Sequence, residues 1–157
     1  MLERTLVILK PDCVARRLVG QVIQRFEQRG LQIVGMKLMK IRMPLARKMY
    51  AEHKGKEFYQ PLLRFMTRGP VVVMALRGKD AVAVVRQMLG PTFGPDAPAG
   101  TVRGDFGMSK RYNLVHGSDS AKSAKRELAL FFKPGELVKS APPDFDWVYD
   151  TAGGELV

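Results

Sequence analysis

Histidines are the first candidates for chemistry in this chain, because imidazole is largely unprotonated near neutral pH and can attack an electrophile. There are two, His53 and His116. His116 follows a short apolar run and precedes Gly117 and a predicted helix start. That position places the ring at the rim of a sheet, where the free N–H groups of a helix terminus favour an anion. The alternative is a hydrogen-bonded rim histidine with a structural role.

A carboxylate is placed to orient that ring. Glu127 lies four residues before Phe131, on the inward apolar face of a predicted helix. A buried carboxylate is unfavourable unless it is paired. If Glu127 accepts a hydrogen bond from one nitrogen of His116, it fixes the tautomer and leaves a lone pair on the other nitrogen. The alternative is that Glu127 pairs with a basic neighbour on its own helix, Lys122 or Arg126.

Several cations lie at the ends of predicted elements. Lys10 ends the first strand, Arg86 lies near the end of a helix that leads into a Pro/Gly-rich loop, and Arg103 follows that loop, which contains Thr92. Each of them alone is more often a surface charge than a ligand. Phosphoryl transfer depends on positioning and on cations that stabilise spread negative charge. Together with a histidine nucleophile, the set therefore favours phosphoryl transfer.

Other chemical templates do not fit the sequence. It contains no G-x-x-x-x-G-K-[ST], G-x-G-x-x-G or G-x-S-x-G motif and no zinc-type spacing of Cys and His. The segment 103–107 has some similarity to an RNA-recognition strand, but such a strand needs two or three stacking aromatics and only Phe106 is available. The single cysteine, Cys13, allows no intrachain disulfide and favours a reducing compartment.

Size and charge limit the class of protein. With 157 residues the chain is expected to form one domain; we assign residues 1–150 to it and 151–157 to a C-terminal tail. We find neither a signal peptide nor an apolar run of the roughly 18 residues that cross a bilayer. The formal net charge of +11 favours a phosphate-bearing partner, nucleic acid included. The alternative is a solvated basic surface without a partner.

The secondary-structure elements that must position these residues are predicted from the periodicity of apolar residues and from residues that end helices and strands. The first half of the chain predicts a strand over Thr5–Leu9 and then a helix that bears Val19, Val22, Ile23 and Phe26 and ends at Gly30. A strand over Leu31–Ile41 follows, with an irregularity at Gly35. Two helices are predicted after it, over Pro44–Lys54 and Tyr59–Thr67.

The second half predicts a central strand over Val71–Leu76, a helix capped by Asp80 and ending at Leu89, an irregular loop over 90–100, a strand over Tyr112–Val115 and a helix after Ser118–Ser120. Helices between strands imply crossovers onto one sheet. We therefore expect an α/β fold, an α+β sandwich of the ferredoxin-like split β-α-β type. It has a four-stranded antiparallel sheet with helices on its face and extra short helices.

Several sequence blocks, in this order, resemble the nucleoside diphosphate kinase family over nearly the whole chain, from about Arg4 to Tyr149. The strongest block is Asn113-x-x-His116-Gly117-Ser118-Asp119. The others are Lys10-Pro11-Asp12-x-Val14-x-Arg16, Arg25-Phe26-Glu27, Gly69-Pro70-Val71-Val72, Met88-Leu89-Gly90-x-Thr92 and Gly100-Thr101-x-Arg103-Gly104-Asp105-Phe106.

The resemblance implies a ping-pong reaction in which His116 takes the γ-phosphoryl group of a nucleoside triphosphate and passes it to a nucleoside diphosphate. It also implies roles for the matching positions. Phosphates would be held by Lys10, Arg86, Thr92 and Arg103; ribose hydroxyls by Lys10 and Asn113; the base by stacking on Phe58. Tyr50 and His53 would line the site near the nucleophile, and Ser118 and Glu127 would orient it.

The resemblance further implies a cytoplasmic homo-oligomer, with a hexamer favoured and a tetramer as the alternative. Mg²⁺ would ride on the nucleotide phosphates rather than on a protein metal site, in keeping with the lack of a carboxylate cluster. The chain departs from the family pattern at Cys13, where glycine is usual, at Lys110, where an apolar residue usually flanks the base, at Phe93–Gly94 in the loop, and in its high net charge.

Overall fold

The fold is built on one antiparallel sheet of four strands. The computed structural model describes residues 2–139 and 141–157. The strands are β1 (Leu2–Leu9), β2 (Gln32–Lys40), β3 (Pro70–Lys79) and β4 (Val115–Gly117), in the order β2-β3-β1-β4. The strand predicted to be central, β3, is central. The ferredoxin-like fold class is confirmed.

Eight α-helices and three 3₁₀ turns connect and cover the strands in the described residues. The helices are α1 (Pro11–Ala15), α2 (Val19–Gln28), α3 (Met43–Met49), α4 (Tyr59–Thr67), α5 (Ala81–Leu89), α6 (Val102–Phe106), α7 (Ala121–Phe131) and α8 (Phe145–Val148). The 3₁₀ turns are Ala51–His53, Gly94–Asp96 and Pro134–Glu136. No helix among these residues is long and apolar enough to cross a membrane.

Two apolar layers, one on each face of the sheet, follow from the alternation along β1. Leu6 and Ile8 pack with the extra helices α3, α4 and α7, whereas Val7 and Leu9 pack with α2 and α5, the two crossover helices of the ferredoxin-like core. All four side chains are fully buried, and burial of such a side chain is worth about 2 kcal/mol. The site-bearing ends of β1 and β4 are therefore held from both sides.

Local turn predictions were largely confirmed. Gly30 ends α2 with a φ of +83°, a left-handed conformation that glycine adopts without strain. The β2–β3 register shifts between Ile33 and Gly35, which is the irregularity expected at Gly35. The helix predicted over Pro44–Lys54 divides into α3 and a 3₁₀ turn at Ala51–His53.

Three predictions about the second half were wrong in detail. The last strand is β4, not Tyr112–Val115, because Leu114 has a φ of +70° and pairing with β1 begins only at Val115. His116 is therefore the middle residue of a strand, not its end. Asp80 has a φ of +50° and does not cap α5; the Glu3 carboxylate accepts from Val82 N instead, at 2.8 Å.

One helix, α6, was missed by the sequence analysis. Helix α6 begins after Thr101, whose hydroxyl accepts from Gly104 N at 3.0 Å. The sequence 103–107 is thus largely helical, in agreement with the rejection of an RNA-recognition strand there. Helix α6 is only five residues long and contains a glycine, so it has no periodic signal of its own.

Candidate active site

A cavity of about 840 Å³ lies where the ends of β1 and β4 meet the segments between α3 and α4 and around α6. Of the predicted site residues, ten line it: Lys10, Tyr50, His53, Phe58, Arg86, Thr92, Arg103, Asn113, His116 and Glu127. Ser118 is fully buried beside the lining, behind Glu127. The residues that the sequence singled out thus come together, although they are spread over more than a hundred positions.

His116 is oriented by a buried carboxylate. Its Nε2 lies 2.9 Å from Glu127 Oε2, and Ser118 Oγ donates to the same oxygen at 2.7 Å. Because a carboxylate only accepts, Nε2 carries the single proton of the neutral imidazole, and Nδ1 then keeps its lone pair. The weaker contact of Glu127 Oε1 with Arg126 Nη2, at 3.7 Å, exists beside this hydrogen bond rather than in place of it.

Tyr50 covers one side of the histidine. The two rings stand perpendicular with centroids 6.3 Å apart, and the buried Tyr50 hydroxyl has no hydrogen-bond partner among the described residues. Burial and the nearby Glu127 charge raise the pKa of Tyr50 well above its usual value. The hydroxyl therefore remains protonated at the site and is available as a donor.

Lys10 and Asn113 form a buried polar chain at the floor of the cavity. Lys10 Nζ donates to Asn113 Oδ1 at 2.7 Å, and Asn113 Nδ2 donates to the carbonyl of Thr92 at 3.0 Å. Burial, and secondarily the charge of Arg103, lower the pKa of Lys10 to about 8. An anion placed beside Lys10 would restore the charge balance and stabilise its protonated form.

Arg103 holds backbone carbonyls as well as lining the cavity, a role that the sequence did not suggest. Its guanidinium, in a residue only 4% exposed, donates to the carbonyls of Gly90, Asn113 and Val115 at 2.6–3.1 Å. A guanidinium has five N–H groups, so two remain for phosphate. Burial, and secondarily Arg86, lower the pKa of Arg103 to about 10. Arg103 thus anchors the strand that carries His116 and contributes positive charge to the cavity.

The mouth of the cavity is aromatic. Phe58 is 47% exposed and its ring lies 5.2 Å from that of His53, which in turn stacks at 6.2 Å on Tyr50. Burial, then the charge of Lys56, lower the pKa of His53. This row of rings leads from the histidine to solvent. The polar end around His116 and the flat apolar end at Phe58 suit a ligand that has phosphates at one end and a ring at the other.

The second wall at the mouth is formed by Phe93 and Lys110. Lys110 Nζ lies 5.3 Å from the centroid of Phe93, within the range of a cation–π contact. Two of the residues that depart from the family pattern therefore contact each other. A Lys110 stem held in this way can cover an apolar surface while its ammonium remains in solvent.

Sequence reasoning missed Asp12 as a site residue. Its Oδ2 accepts from Leu114 N at 3.1 Å, and Leu114 is the residue held in the left-handed conformation between Asn113 and Val115. Asp12 thereby fixes the backbone that delivers Asn113 to Lys10 and the Val115 carbonyl to Arg103. The motif that includes Asp12 was visible, but its contact spans 102 positions and gives no local signal.

The site is poor in potential metal ligands. Among the described residues no group of three or more His, Cys, Asp or Glu side chains could hold a metal ion. The carboxylates that line the cavity are Glu52, Asp119 and Glu127, and Glu127 is engaged by His116. Such a cavity fits a divalent cation that arrives on phosphate oxygens and keeps waters, rather than one held in a protein cage.

Comparison with known proteins agrees with this geometry. Residues 3–137 match the family model described as nucleoside diphosphate kinase. The nucleoside diphosphate kinase of Sulfurisphaera tokodaii is 52% identical to this chain, over 87% of this chain and 93% of its own length. That of Thermococcus kodakarensis is also 52% identical, over 96% of this chain and 87% of its own length.

Solved structures are similar over nearly the whole chain. A halophilic nucleoside diphosphate kinase from Halobacterium salinarum, solved in complex with CDP, superposes with a TM-score of 0.94 at 45% identity, covering 96% of this chain and 100% of that one. A nucleoside diphosphate kinase family protein from Babesia bovis gives 0.91 at 41% identity, covering 94% and 99%. The chain belongs to the nucleoside diphosphate kinase family, whose members transfer phosphate between nucleotides.

Proposed function

We propose that His116 is the residue through which this chain exchanges phosphoryl groups between nucleotides. In the first half-reaction the Nδ1 lone pair forms a bond to the γ-phosphorus of a nucleoside triphosphate while the bond to the β–γ bridging oxygen breaks. The nucleoside diphosphate leaves. In the second, a terminal oxygen of another nucleoside diphosphate attacks the same phosphorus and the nitrogen–phosphorus bond breaks. The observation that carries the proposal is the 2.9 Å contact of His116 Nε2 with Glu127, which leaves Nδ1 free.

The cations around His116 stabilise the charge that spreads over the transferred group. Lys10, Arg86 and Arg103 line the same cavity, with Thr92 beside them. Such stabilisation acts strongly where water is excluded, and Lys10 and Arg103 are buried. The protonated Tyr50 hydroxyl is a further donor near the histidine.

The rest of the nucleotide follows from the shape of the cavity. Lys10 and Asn113 are placed to bind the ribose hydroxyls, and Phe58 to stack on the base beside His53. Stacking accepts any base, because every base has a π-face. We therefore expect weak selectivity among bases. Mg²⁺ bound on the phosphates would neutralise part of their charge, and Asp119, which lines the cavity, would be available to accept from its water ligands.

Phosphorylation by a nucleoside triphosphate tests the assignment. The wild-type chain should take up one acid-labile, base-stable phosphoryl group from γ-labelled ATP, and His116→Ala should take up none. His53→Ala is the matched control, since it removes the other histidine and should still be labelled. Equal labelling of His116→Ala, or loss of the label only in His53→Ala, would assign the nucleophile elsewhere.

The high charge favours a second, independent property. A net charge of +11 attracts polyanions, so we propose weak sequence-independent binding of nucleic acid on the basic surface. Its signature is an affinity for an oligonucleotide that falls steeply with salt. If no binding is detected at about 50 mM salt, this proposal is dismissed and the kinase assignment is unaffected.

We also propose that several copies of the chain assemble. The proposed form is a cytoplasmic homo-oligomer, with a hexamer favoured over a tetramer. It is supported by the edge strand β2, where Met36 and Leu38 are 54% and 68% exposed. We assign residues 1–150 to one domain and 151–157 to a tail. Native mass on the same sample as a coupled assay of ATP with a second nucleoside diphosphate tests assembly and activity together.

A further inference from the structure

Arg126 lies on α7 directly before Glu127, and its side chain joins two parts of the structure that surround His116. Its Nη1 donates to the carbonyl oxygens of Lys48 and Met49 at 3.3 and 3.4 Å, and its Nη2 donates to that of Met49 at 3.4 Å. Both carbonyls belong to the last turn of α3. The same Nη2 lies 3.7 Å from Glu127 Oε1. One guanidinium therefore contacts both the end of α3 and the carboxylate that orients His116.

The end of α3 bears on the active site because Tyr50 follows it immediately. The Tyr50 N–H donates to the carbonyl of Ala46 at 3.0 Å and so continues the last turn of the helix. The Tyr50 ring stands perpendicular to that of His116, with centroids 6.3 Å apart, and its hydroxyl is buried. A shift of the α3 terminus would therefore move this ring relative to His116.

The contact at the other end of the guanidinium bears on Glu127. Oε2 of this carboxylate already accepts from His116 Nε2 and from Ser118 Oγ, so Oε1 is the oxygen that remains for a cation. The Glu127 side chain is only 6% exposed, and a nearby positive charge stabilises a buried carboxylate as an anion. Arg126 thereby supports the charge of Glu127 and limits how far the carboxylate can move.

This arrangement differs from an ordinary surface ion pair. The contact of Arg126 Nη2 with Glu52 Oε1, at 3.9 Å, is of the ordinary kind, because the Glu52 side chain is 70% exposed and such pairs contribute little. The contacts with α3 use backbone oxygens at a helix C-terminus, where the helix dipole favours a cation. A planar guanidinium can bind these oxygens and a carboxylate at once, whereas the ammonium of a lysine is a single point charge.

We propose that Arg126 is a positioning residue for the phosphorylation of His116. It ties α7 to the end of α3 and so holds Glu127 and Tyr50 in the places from which they act on the imidazole. The inference rests on the role of His116 proposed above. It adds a residue whose effect is on the rate of phosphoryl transfer rather than on the affinity for the nucleotide.

Single-turnover labelling of the full chain by γ-labelled ATP, over a range of ATP concentrations, tests this role. In Arg126→Met, which removes the guanidinium, the maximal labelling rate should fall about tenfold or more, because a small misplacement near a reacting group is costly. The ATP concentration that gives half this rate should change less than about threefold, since the lost interaction is not one with the nucleotide. The Kd of ADP, measured calorimetrically without metal, should likewise be retained.

Two further variants and a matched control sharpen the test. Arg126→Lys keeps the charge but cannot bind both partners at once, so its maximal rate should be at least about threefold below wild type. It decides the matter if Arg126→Met does not fold. Lys122→Met is the matched control, since Lys122 is exposed one turn earlier on α7 and does not line the cavity. It makes the same change in net charge and should be labelled at the wild-type rate.

Chemical rescue separates positioning from a general loss of structure. Guanidinium chloride, at concentrations well below those that unfold proteins, should restore part of the labelling rate of Arg126→Ala, whereas sodium chloride at equal concentration should not. A denaturant would further slow a variant whose defect was low stability.

Three results would overturn the proposal. A wild-type maximal rate in Arg126→Met or in Arg126→Lys would show that the link between α7 and α3 is not needed. A large loss of ADP affinity with an unchanged maximal rate would make Arg126 a phosphate ligand instead. An equal fall in Lys122→Met would assign the effect to net charge. Failure of the His116 assignment is read separately, because it appears as label retained in His116→Ala.

Discussion

The reactivity of His116 depends on one contact at the residue scale. Glu127 was expected on the inward face of its helix, and it is only 4% exposed and 2.9 Å from His116 Nε2. Ser118 donates to the same carboxylate oxygen and so limits how the carboxylate can rotate. The pair holds the imidazole in the tautomer whose Nδ1 lone pair is free.

Replacing the carboxylate by an amide tests that role. In Glu127→Gln the amide N–H₂ can donate to Nε2, which places the ring proton on Nδ1 and removes the nucleophilic lone pair. We expect the rate of phosphorylation by ATP to fall at least about 100-fold, as for other histidines forced into the wrong tautomer. Rapid-quench labelling measures this rate. Glu136→Gln, which alters a carboxylate that does not line the cavity, should react at the wild-type rate, and an equal rate in Glu127→Gln would refute the orienting role.

The buried Lys10 makes a prediction about pH. Its pKa in the free protein is lowered to about 8, so above that pH a growing share of molecules lacks this charge. Because phosphate binding favours the protonated lysine, kcat/KM for a nucleoside triphosphate should decline above about pH 8, approaching a tenfold loss per pH unit. Lys10→Met should be far less active and lack this decline. A wild-type profile that stays flat to pH 10 would contradict the assignment.

At the scale of elements, α5 shows how a helix start can be stabilised from a distant strand. Asp80 precedes the helix and has a side chain typical of a cap, yet its left-handed backbone directs that side chain away from the helix N–H groups. Glu3, on β1, supplies the missing acceptor to Val82 N. The sheet and the helix that carries Arg86 into the cavity are thereby joined.

This arrangement predicts an unusual pair of substitutions. Glu3→Ala should lower the free energy of unfolding by about 1 kcal/mol, the usual effect of losing a helix cap. Asp80→Gly should have little effect or be slightly stabilising, because glycine adopts a positive φ without strain. Urea denaturation of the two variants at matched concentration measures both. A larger loss in Asp80→Gly than in Glu3→Ala would restore Asp80 as the cap.

At the scale of the whole molecule, the edge strand β2 offers a surface for pairing between chains. Strand β2 is an edge strand whose Met36 and Leu38 side chains are largely exposed, and such an edge is suited to pairing with another strand. The proposed homo-oligomer would cover this apolar surface.

A charge at that edge should reduce the assembly. Leu38→Glu places a charge on the apolar surface that pairing of two β2 edges would bury, so the native mass should fall by at least one step at micromolar concentration. Light scattering after size-exclusion chromatography measures it. Val157→Glu, which alters another exposed apolar residue, should retain the wild-type mass. An unchanged mass in Leu38→Glu would place the interface elsewhere.

The succession of the four strands and the main helices, the fold class and most residues that line the candidate site were predictable from the sequence. Their signals are local: apolar periodicity, turn residues and short motifs around Lys10 and His116. The tertiary structure alone decided three things. Glu3, not Asp80, completes α5; Arg103 anchors the backbone beside His116; and Arg126 joins α7 to the end of α3. Each depends on strand register or on residues distant in sequence, and no local pattern encodes which side chains such pairing brings together.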